Sequence, residues 1–369
     1  MRTVCVIAGE ASGDLHGASL IRALKSRDAS LRVLAAGGAR MRAEAPGHFI
    51  ETAHLHATGL TEIFKLIPQY LALMKAIERA VKTQKPDRIV FIDNPGFNLR
   101  LAKRLLPLGI PMVYYVCPQV WAWNEKRVHF MKRAFRKALV VFDFELEVYR
   151  KHGMPAAWVG HPLTEQLPRL NGGPRGTSGR KTVLLLPGSR KNEVGVLLPI
   201  LLEAAKKVKA ARPEAVFRLL EAPTLSREYY DTLLSRSEVP IERVDGDKYE
   251  AMAAADLGIV CSGTATLECA LMKMPMIVVY RVSFITFITA KIVAKVRFLG
   301  LPNLLAGKEI VPELLQYNAT ADKISAKAIQ LLASPGPLTQ MRRDLADLSD
   351  RMGRPGASDR AAQEILSLV

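Results

Sequence analysis

Asp93 stands directly after Arg88–Ile92, an apolar run that we predict to be a buried strand. A carboxylate at the end of such a strand can act as a general base if loss of water raises its pKa. It could equally form a turn or cap a helix, because aspartate accepts hydrogen bonds from nearby backbone N–H groups. A second turn of small and acidic residues, GEASGD at 9–14, follows the apolar run Thr3–Ala8 and raises the question of what Glu10 does there.

The turn PGSR at 187–190 is suited to a diphosphate. Gly188 lets the backbone come close to a ligand, Ser189 can bond an oxygen, and Arg190 is a permanent forked cation. The alternative is an ordinary junction between a strand and a helix, with an exposed arginine. We favour the diphosphate interpretation, because these three residue types together match what a phosphate requires.

A second candidate phosphate site lies in the turn CSGTATLECA at 261–270. Small residues there bring free N–H groups to the start of a predicted helix, which favours a phosphate. Glu268, one turn inside the helix, could accept a hydrogen bond from a ribose hydroxyl. A helix cap is the alternative, and both roles can coexist. The turn residues concerned are Ser262, Gly263, Thr264, Ala265 and Thr266.

Two tryptophans, Trp121 and Trp123, follow the apolar run Met112–Val116 in a predicted loop. Aromatic faces commonly line sugar or acyl sites. Packing in the core is an equally good interpretation, because aromatic side chains are usually largely buried. The residue types alone leave both open.

The elements that must position these residues follow an α/β pattern. Short β-branched runs alternate with helical patterns, which predicts parallel sheets covered on both faces. The stretch from Pro168 to Lys181 is rich in glycine, proline and basic residues, which predicts a linker between two domains. Ligands of such sheets bind beyond the carboxyl ends of the strands, so we expect two open domains facing a cleft. The predicted strands are Thr3–Ala8, Arg32–Ala36, Arg88–Ile92, Met112–Val116, Leu139–Phe142, Ala157–Val159, Thr182–Leu186, Val216–Leu220, Glu242–Val244, Leu257–Val260 and Met276–Val279.

Length and composition limit the possible partners. A chain of 369 residues is too long for one ordinary core, and its net charge of +17 suggests an anionic partner. Nucleic acid is not expected, because no helix-turn-helix, RNP or zinc signature is present. The four cysteines form no CxxC pair and the histidines show no metal-ligand spacing, so we expect neither a metal nor a cofactor.

Two apolar segments, 59–77 and 282–298, resemble helices that lie in a membrane interface, although core helices can look the same. Neither reaches the roughly 18 uninterrupted apolar residues of a spanning helix. The apolar run at 4–8 is too short for a signal peptide. Together with the basic charge, these segments favour contact with an anionic membrane surface.

The motifs AGEASGDLHGA, GLTEIF, IDNPGFNLRLA, YYVCPQVWAW, LPGSRKNEV, SGTATLECAL and LPNLLAG occur in the order seen in lipid-A-disaccharide synthases. The resemblance runs from residue 4 to about residue 316. It implies an inverting glycosyltransferase of the GT-B type, with two Rossmann-like domains. The implied reaction joins UDP-2,3-diacylglucosamine to 2,3-diacylglucosamine 1-phosphate, releases UDP, needs no metal and takes place at the inner face of the cytoplasmic membrane.

The resemblance also implies roles for single residues. Glu10 and Asp93 correspond to essential acidic residues, and Arg190 to an arginine that binds the diphosphate. Asn303, in LPNLLAG, corresponds to an active-site asparagine, and Glu268 to a ribose-binding glutamate of related transferases. The chain departs from the family where Gly96 replaces an aspartate and where Asp143 replaces a proline. We also expect Ser12 and Asn98, in the two turns of the first half, to bind substrate.

We therefore expect an acceptor-side domain at 1–167, a linker at 168–181 and a UDP-sugar domain at 182–339, with helices of 340–369 able to pack back on the first domain. The expected partners are the two lipid substrates and an anionic membrane surface, and a homodimer is left open. The rival enzyme is another two-domain UDP-sugar protein, such as a UDP-N-acetylglucosamine epimerase or a soluble transferase. Such an enzyme would not require the apolar segments.

Overall fold

The computed structural model of the chain describes residues 2–52, 60–168, 179–281 and 298–368. The chain forms two compact units, and it passes between them twice. The first unit comprises residues 1–165 and 352–369, and the second comprises residues 166–351. The segment after residue 339 is therefore divided between the two units.

The first unit is built on a parallel sheet of seven described strands, ordered β3-β2-β1-β4-β5-β6-β7. The central strands are buried on both faces, which explains why they read as continuous apolar runs. Since Ala8 pairs with Ile92, the residues that follow β1 and β4 emerge side by side at the carboxyl edge. The strands are β1 Thr3–Ala8, β2 Arg32–Gly37, β3 Phe49–Glu51, β4 Arg88–Ile92, β5 Met112–Tyr115, β6 Lys137–Val140 and β7 Ala156–Trp158.

Helices cover both faces of this sheet. One core packs Ile7, Phe91 and Tyr114 against α3 and α4, and the other packs Val6 and Ile92 against α1 and α15. The helices of the first unit are α1 Ala11–Arg27, α2 Ala39–Glu44, α3 Leu60–Gln84, α4 Pro95–Leu105, α5 Val120–Trp123, α6 Arg127–Ala134, α7 Glu145–Lys151 and α15 Ala357–Ser367.

The second unit repeats this architecture with six described strands, ordered β10-β9-β8-β11-β12-β13, again all parallel. The strands are β8 Lys181–Leu186, β9 Ala215–Leu219, β10 Ile241–Arg243, β11 Leu257–Cys261, β12 Met276–Tyr280 and β13 Glu313–Leu315. The helices are α8 Lys191–Ala211, α9 Arg227–Leu234, α10 Lys248–Ala254, α11 Thr264–Leu271, α12 Leu301–Ala306, α13 Ala321–Leu332 and α14 Pro335–Arg351.

All the predicted strands are present, with ends that differ by at most two residues. Two described strands were not predicted, Phe49–Glu51 and Glu313–Leu315. Both are three residues long, half-buried and at the edge of a sheet. Such short edge strands carry too few side chains to show an alternating pattern.

Candidate functional site

The end of β4 has an unusual backbone. Asp93 and Asn94 both adopt the left-handed region, with φ of 51° and 39°. Residues other than glycine adopt this region at a cost, so neighbouring groups must hold them there. Asn98 donates both amide hydrogens, to the carbonyl oxygens of Ile92 at 2.9 Å and Asp93 at 2.7 Å, and the Tyr114 hydroxyl donates to the Asp93 carbonyl at 2.6 Å. These bonds hold Asp93 at the carboxyl edge.

Asn98 was expected to lie in the turn after β4 and to bind substrate. The helix instead begins at Pro95, with the Asn94 side chain as its cap, accepting from the N–H of Phe97. Asn98 therefore lies inside the first turn, completely buried. Because both of its amide hydrogens bond the backbone around Asp93, the side chain supports the turn.

The Asp93 carboxylate is half-buried, and its environment favours the protonated form. Burial and, to a smaller extent, the negative charge of Glu10 together raise the pKa of Asp93 to about 6. Hydrogen bonds from the Asn94 N–H and the Ser12 hydroxyl act against this rise. The Ser12 hydroxyl donates to Asp93 Oδ2 at 3.3 Å. A carboxylate with a pKa just below neutral is suited to accept a proton from a hydroxyl.

The turn GEASGD supplies the other side of this site. The exposed Glu10 is the residue before α1, so Ser12, Gly13 and Asp14 lie in the first turn of the helix rather than in a loop. The helix begins earlier than a pattern of apolar spacing indicates, because its first turn contains only small and polar side chains.

Glycine is required at position 9 by close packing. A Cβ on Gly9 would lie 2.6 Å from Nδ2 of Asn94, and one on Gly13 would lie 3.2 Å from the Cβ of Ala8. The two turns after β1 and β4 are therefore in direct contact. A larger residue at position 9 would displace the Asn94 side chain, which caps α4 next to Asp93.

Asp14, by contrast, has a structural role. Its Oδ1 accepts from the N–H groups of Gly38 at 2.8 Å and Met41 at 3.0 Å, and its Oδ2 accepts from Arg40 at 3.1 Å. These are the free donors at the start of α2, so Asp14 caps that helix from a distant position in the chain. Of the two acidic residues in GEASGD, only Glu10 remains available to a ligand.

In the second unit, the turn after β8 leads into α8, and a glutamate in the first turn of that helix bonds back to the turn. Gly188 has φ of 119°, and Arg190 lies just before α8. Glu193 accepts from the N–H of Ser189 at 3.2 Å through Oε2 and from Arg190 Nη1 at 2.8 Å through Oε1. About half of the Arg190 side chain is exposed, so its guanidinium is fixed by Glu193 and still accessible.

The turn after β11 ends at Gly263, which precedes α11. Gly263 and Thr264 are exposed, and Ala265 is half-buried. The hydroxyls of Ser262 and Thr266 are already used, since they donate to the carbonyl oxygens of Leu299 at 3.2 Å and Gly263 at 2.7 Å. Of the five residues predicted here, Gly263 and Thr264 are therefore the two that are exposed to solvent.

Glu268 belongs to a cluster of three side chains that its own sequence motif does not indicate. Its Oε1 accepts from Lys248 Nζ at 2.6 Å and from the Tyr249 hydroxyl at 3.2 Å. The Lys248 ammonium also lies 4.7 Å from the centre of the Tyr249 ring. Lys248 and Tyr249 come from α10, some twenty residues away in sequence, and no local motif marks them.

Asn303 is completely buried, and its amide is fully used within its own loop. Its Oδ1 accepts from the N–H groups of Ile310 at 2.7 Å and Val311 at 2.9 Å. Its Nδ2 donates to the Val311 carbonyl at 2.7 Å and to Glu313 Oε1 at 2.8 Å. The side chain therefore shapes the segment that leads into β13, with no polar atom left for a ligand.

Residues 60–77 of the apolar segment 59–77 lie in α3, and residue 59 lies outside the described residues. The described side chains of the segment point in two directions. Ile67 and Leu71 are exposed, at 42% and 46%, whereas Met74 is only 4% exposed and belongs to the core. The expectation that the segment 59–77 lies in a membrane interface is therefore wrong for Met74. The segment 282–298 lies outside the described residues, except for Phe298.

Within the described parts of the chain, no helix is both long and apolar enough to cross a membrane. The same residues contain no group of three or more histidine, cysteine, aspartate or glutamate side chains that could hold a metal ion.

Comparisons with known proteins extend these findings. The sequence profile of the lipid-A-disaccharide synthetase family matches residues 4–364. A lipid-A-disaccharide synthase of Myxococcus xanthus (strain DK1622) is 40% identical, and the alignment covers 99% of this chain and 97% of that protein. One of Syntrophus aciditrophicus (strain SB) is 36% identical, with 100% and 98% covered.

Solved structures share the fold at low identity. A UDP-GlcNAc 2-epimerase from Neisseria meningitidis bound to UDP-GlcNAc has a TM-score of 0.67 at 13% identity, covering 99% of this chain and 100% of that one. MurG of Acinetobacter baumannii has a TM-score of 0.61 at 15% identity and full coverage of both, 100% each. With the two parallel-sheet units, these likenesses confirm the predicted fold class of two Rossmann-like domains.

Proposed function

The chain belongs to the lipid-A-disaccharide synthetase family, and we propose how its residues carry out that family's reaction. The substrates are UDP-2,3-diacylglucosamine as donor and 2,3-diacylglucosamine 1-phosphate as acceptor. Asp93 takes the proton from the 6-hydroxyl of the acceptor. That oxygen forms a bond to C1 of the donor sugar as the bond from C1 to UDP breaks, so the electron pair of that bond leaves with UDP.

The position of Asp93 carries this assignment: it lies at the carboxyl edge of the first sheet, where the Ser12 hydroxyl bonds its carboxylate. Burial and the charge of Glu10 support the role, because they raise the pKa of Asp93 to about 6. The group is ionised at neutral pH, yet it binds a proton more readily than an ordinary aspartate. Its backbone is held by Asn98 and Tyr114, and Ser12 bonds its carboxylate. Glu10 contributes a second negative charge, which makes Asp93 a stronger base.

The second unit supplies positive charge for the leaving diphosphate. Three groups are suited to that role. They are the guanidinium of Arg190, whose side chain is about half exposed, the N–H groups around Gly188 and Ser189, and the start of α11 at Gly263 and Thr264. The Lys248, Tyr249 and Glu268 cluster is suited to the ribose and nearby phosphate. With these cations on the protein, the mechanism has no step that requires a metal ion.

We also propose that the protein binds to the inner face of the cytoplasmic membrane. The exposed Ile67 and Leu71 support this, because a diacylated acceptor has to be met at the bilayer surface. The net charge of +17 is suited to anionic headgroups. The homodimer remains a prediction.

Product analysis by mass spectrometry tests the proposed function. The purified protein should release UDP only when donor and acceptor are both present, and it should form the diacylated disaccharide 1-phosphate. A chelator should leave the rate unchanged. Conversion of a UDP-sugar to its epimer without any acceptor would contradict the proposal and favour the rival enzyme class.

A further inference from the structure

Glu145 is a completely buried carboxylate at the start of α7. Its Oε1 accepts from the indole N–H of Trp121 at 3.2 Å, and its Oε2 accepts from the N–H groups of Val141 at 3.2 Å and Phe142 at 3.1 Å. Burying a carboxylate is costly, and three donors offset that cost. The arrangement fixes the indole of Trp121, which lies on a different element, relative to the end of β6.

Trp121 completes a group of three aromatic rings. Its ring centre lies 5.0 Å from that of Phe144, edge to face at 83°. Phe144 in turn stacks on Phe142 at 5.8 Å and 9°. Phe142 is buried, whereas Trp121 and Phe144 are half-buried. We refer to Trp121, Phe142 and Phe144 as the aromatic shelf.

The shelf lies on the same sheet edge as Asp93. In the first sheet β4 is followed by β5 and then β6. Phe142 and Phe144 lie two and four residues beyond the end of β6, and Trp121, in α5 beyond β5, is tied to the same place through Glu145. Neighbouring strands are about 4.8 Å apart, so the shelf begins roughly one to two strand spacings from the end of β4. This separation between the shelf and the end of β4, where Asp93 lies, leaves room for about one sugar ring.

The shelf presents hydrocarbon and almost nothing else. The phenylalanine rings have no polar atoms, and the indole N–H of Trp121 is already bonded to Glu145. Sugar hydroxyls would therefore find no donor or acceptor in these three side chains. An aliphatic chain requires only apolar contact.

We propose that the aromatic shelf binds the first part of one acyl chain of the acceptor, and that Glu145 is a positioning residue that holds Trp121 in place. This rests on the proposed function. With the 6-hydroxyl of the acceptor at Asp93, an acyl chain on the other side of the sugar ring reaches the shelf. The shelf thereby helps to select an acylated acceptor.

The proposal is tested by measuring the kinetics of three variants with two acceptors, one with long acyl chains and one with two-carbon acyl chains. In Phe144→Ala the KM for the long-chain acceptor should rise about tenfold, as expected from losing contact with about two methylene groups. The KM for the short-chain acceptor, the KM for the donor and kcat should not change. Glu145→Gln should change the same KM by a smaller factor. Normal turnover of the short-chain acceptor shows that each variant is folded.

Trp158→Phe is the matched control. Trp158 is also a partly exposed tryptophan. Its indole N–H donates to the carbonyl oxygen of Val141 at 3.2 Å, and Val141 directly precedes Phe142 of the shelf. It should leave all KM values unchanged.

Equal rises in KM for both acceptors would mean that the shelf stacks on the sugar ring, and this would overturn the acyl assignment. Unchanged KM values in Phe144→Ala would overturn it as well. Failure of the proposed function is a separate result, since the unmodified protein would then release no UDP in response to acceptor.

Discussion

The hydroxyl of Ser12 donates a hydrogen bond to Oδ2 of Asp93 across 3.3 Å. The bond joins the first turn of α1 to the end of β4, and paired strands bring the two together. Only Oδ2 receives this hydrogen bond, so the two carboxylate oxygens of Asp93 differ in their surroundings. The contact therefore orients the carboxylate that we assign as the base.

Asp93→Asn should lower kcat by a factor of 10² to 10⁴, the usual contribution of a general base. UDP affinity should stay the same, because Asp93 is in the first unit and the diphosphate residues are in the second. Turnover assays and calorimetry with UDP measure both. Asp28→Asn, at the other end of α1, is the control. Near-normal turnover in Asp93→Asn would transfer the role of base to Glu10.

The acidic limb of the pH–rate profile should move in opposite directions in two variants. The base acts as a carboxylate, so the rate should fall as the pH drops through about 6, the pKa of Asp93. Glu10→Gln removes a negative charge that raises this pKa, so the limb should move to lower pH. Ser12→Ala removes a hydrogen bond that lowers it, so the limb should move to higher pH. Profiles of kcat/KM that shift in the same direction would contradict the assignment.

Asp93→Asn should also make the protein more stable at neutral pH. The folded protein raises the pKa of Asp93 from its ordinary value of 3.8 to about 6, so the ionised form costs stability once the pH exceeds these values. Asparagine carries no ionisable group and avoids this cost, while it occupies the left-handed region as readily as aspartate does. The gain should be on the order of 2 kcal/mol at pH 7.5 and should vanish below about pH 4. Urea unfolding at both pH values tests this, and an equal change at both would contradict it.

Arg190→Ala should weaken UDP binding and lower kcat/KM on the order of 10²-fold, since a positioned donor to developing charge is lost. Arg190→Lys should recover only part of this, because lysine lacks the forked geometry. Calorimetry with UDP and turnover assays provide the measurements. Arg236→Ala, an exposed arginine of the same unit, is the control. Unchanged UDP affinity in Arg190→Ala would exclude the diphosphate role.

Replacing Ile67 and Leu71 together by serine should release the protein from anionic vesicles. Each exposed side chain contributes about 1 kcal/mol of apolar contact, so binding should weaken at least tenfold. Met74 is left intact because it is part of the core. High salt should weaken the binding of the unmodified protein without abolishing it. Val196→Ser, which removes an apolar side chain of similar exposure, is the control for vesicle sedimentation.

The fold could be predicted largely from local patterns. Strands such as β1 and β4 are buried on both faces, so each carries its own apolar run and can be recognised without its neighbours. The turns that follow them could be located in the same way. The short edge strands β3 and β13 are recognised only by their pairing with a neighbouring strand. Three residues are too few to show the alternation of apolar and polar side chains that marks a strand.

The roles of single residues in the site depend on contacts that a sequence pattern does not contain. Asp14 and Glu10 look alike in GEASGD, but Asp14 is used by α2, some 25 positions further along the chain. Asn98 and Asn303 lie in the expected motifs, yet their amides bond backbone groups. A motif therefore indicated where polar side chains gather, and only the fold separates those that face a ligand from those that hold the turn.

Because α15 belongs to the first unit, that unit cannot be completed in the order in which the chain is synthesised. Ala361, Ala362 and Ile365 fill a core shared with strands made at the beginning. The ribosome must produce the whole second unit before these side chains emerge. Domains usually fold as units, the amino-terminal one first, during synthesis. In this chain one apolar face of the first sheet therefore stays incompletely covered during synthesis until α15 has been made.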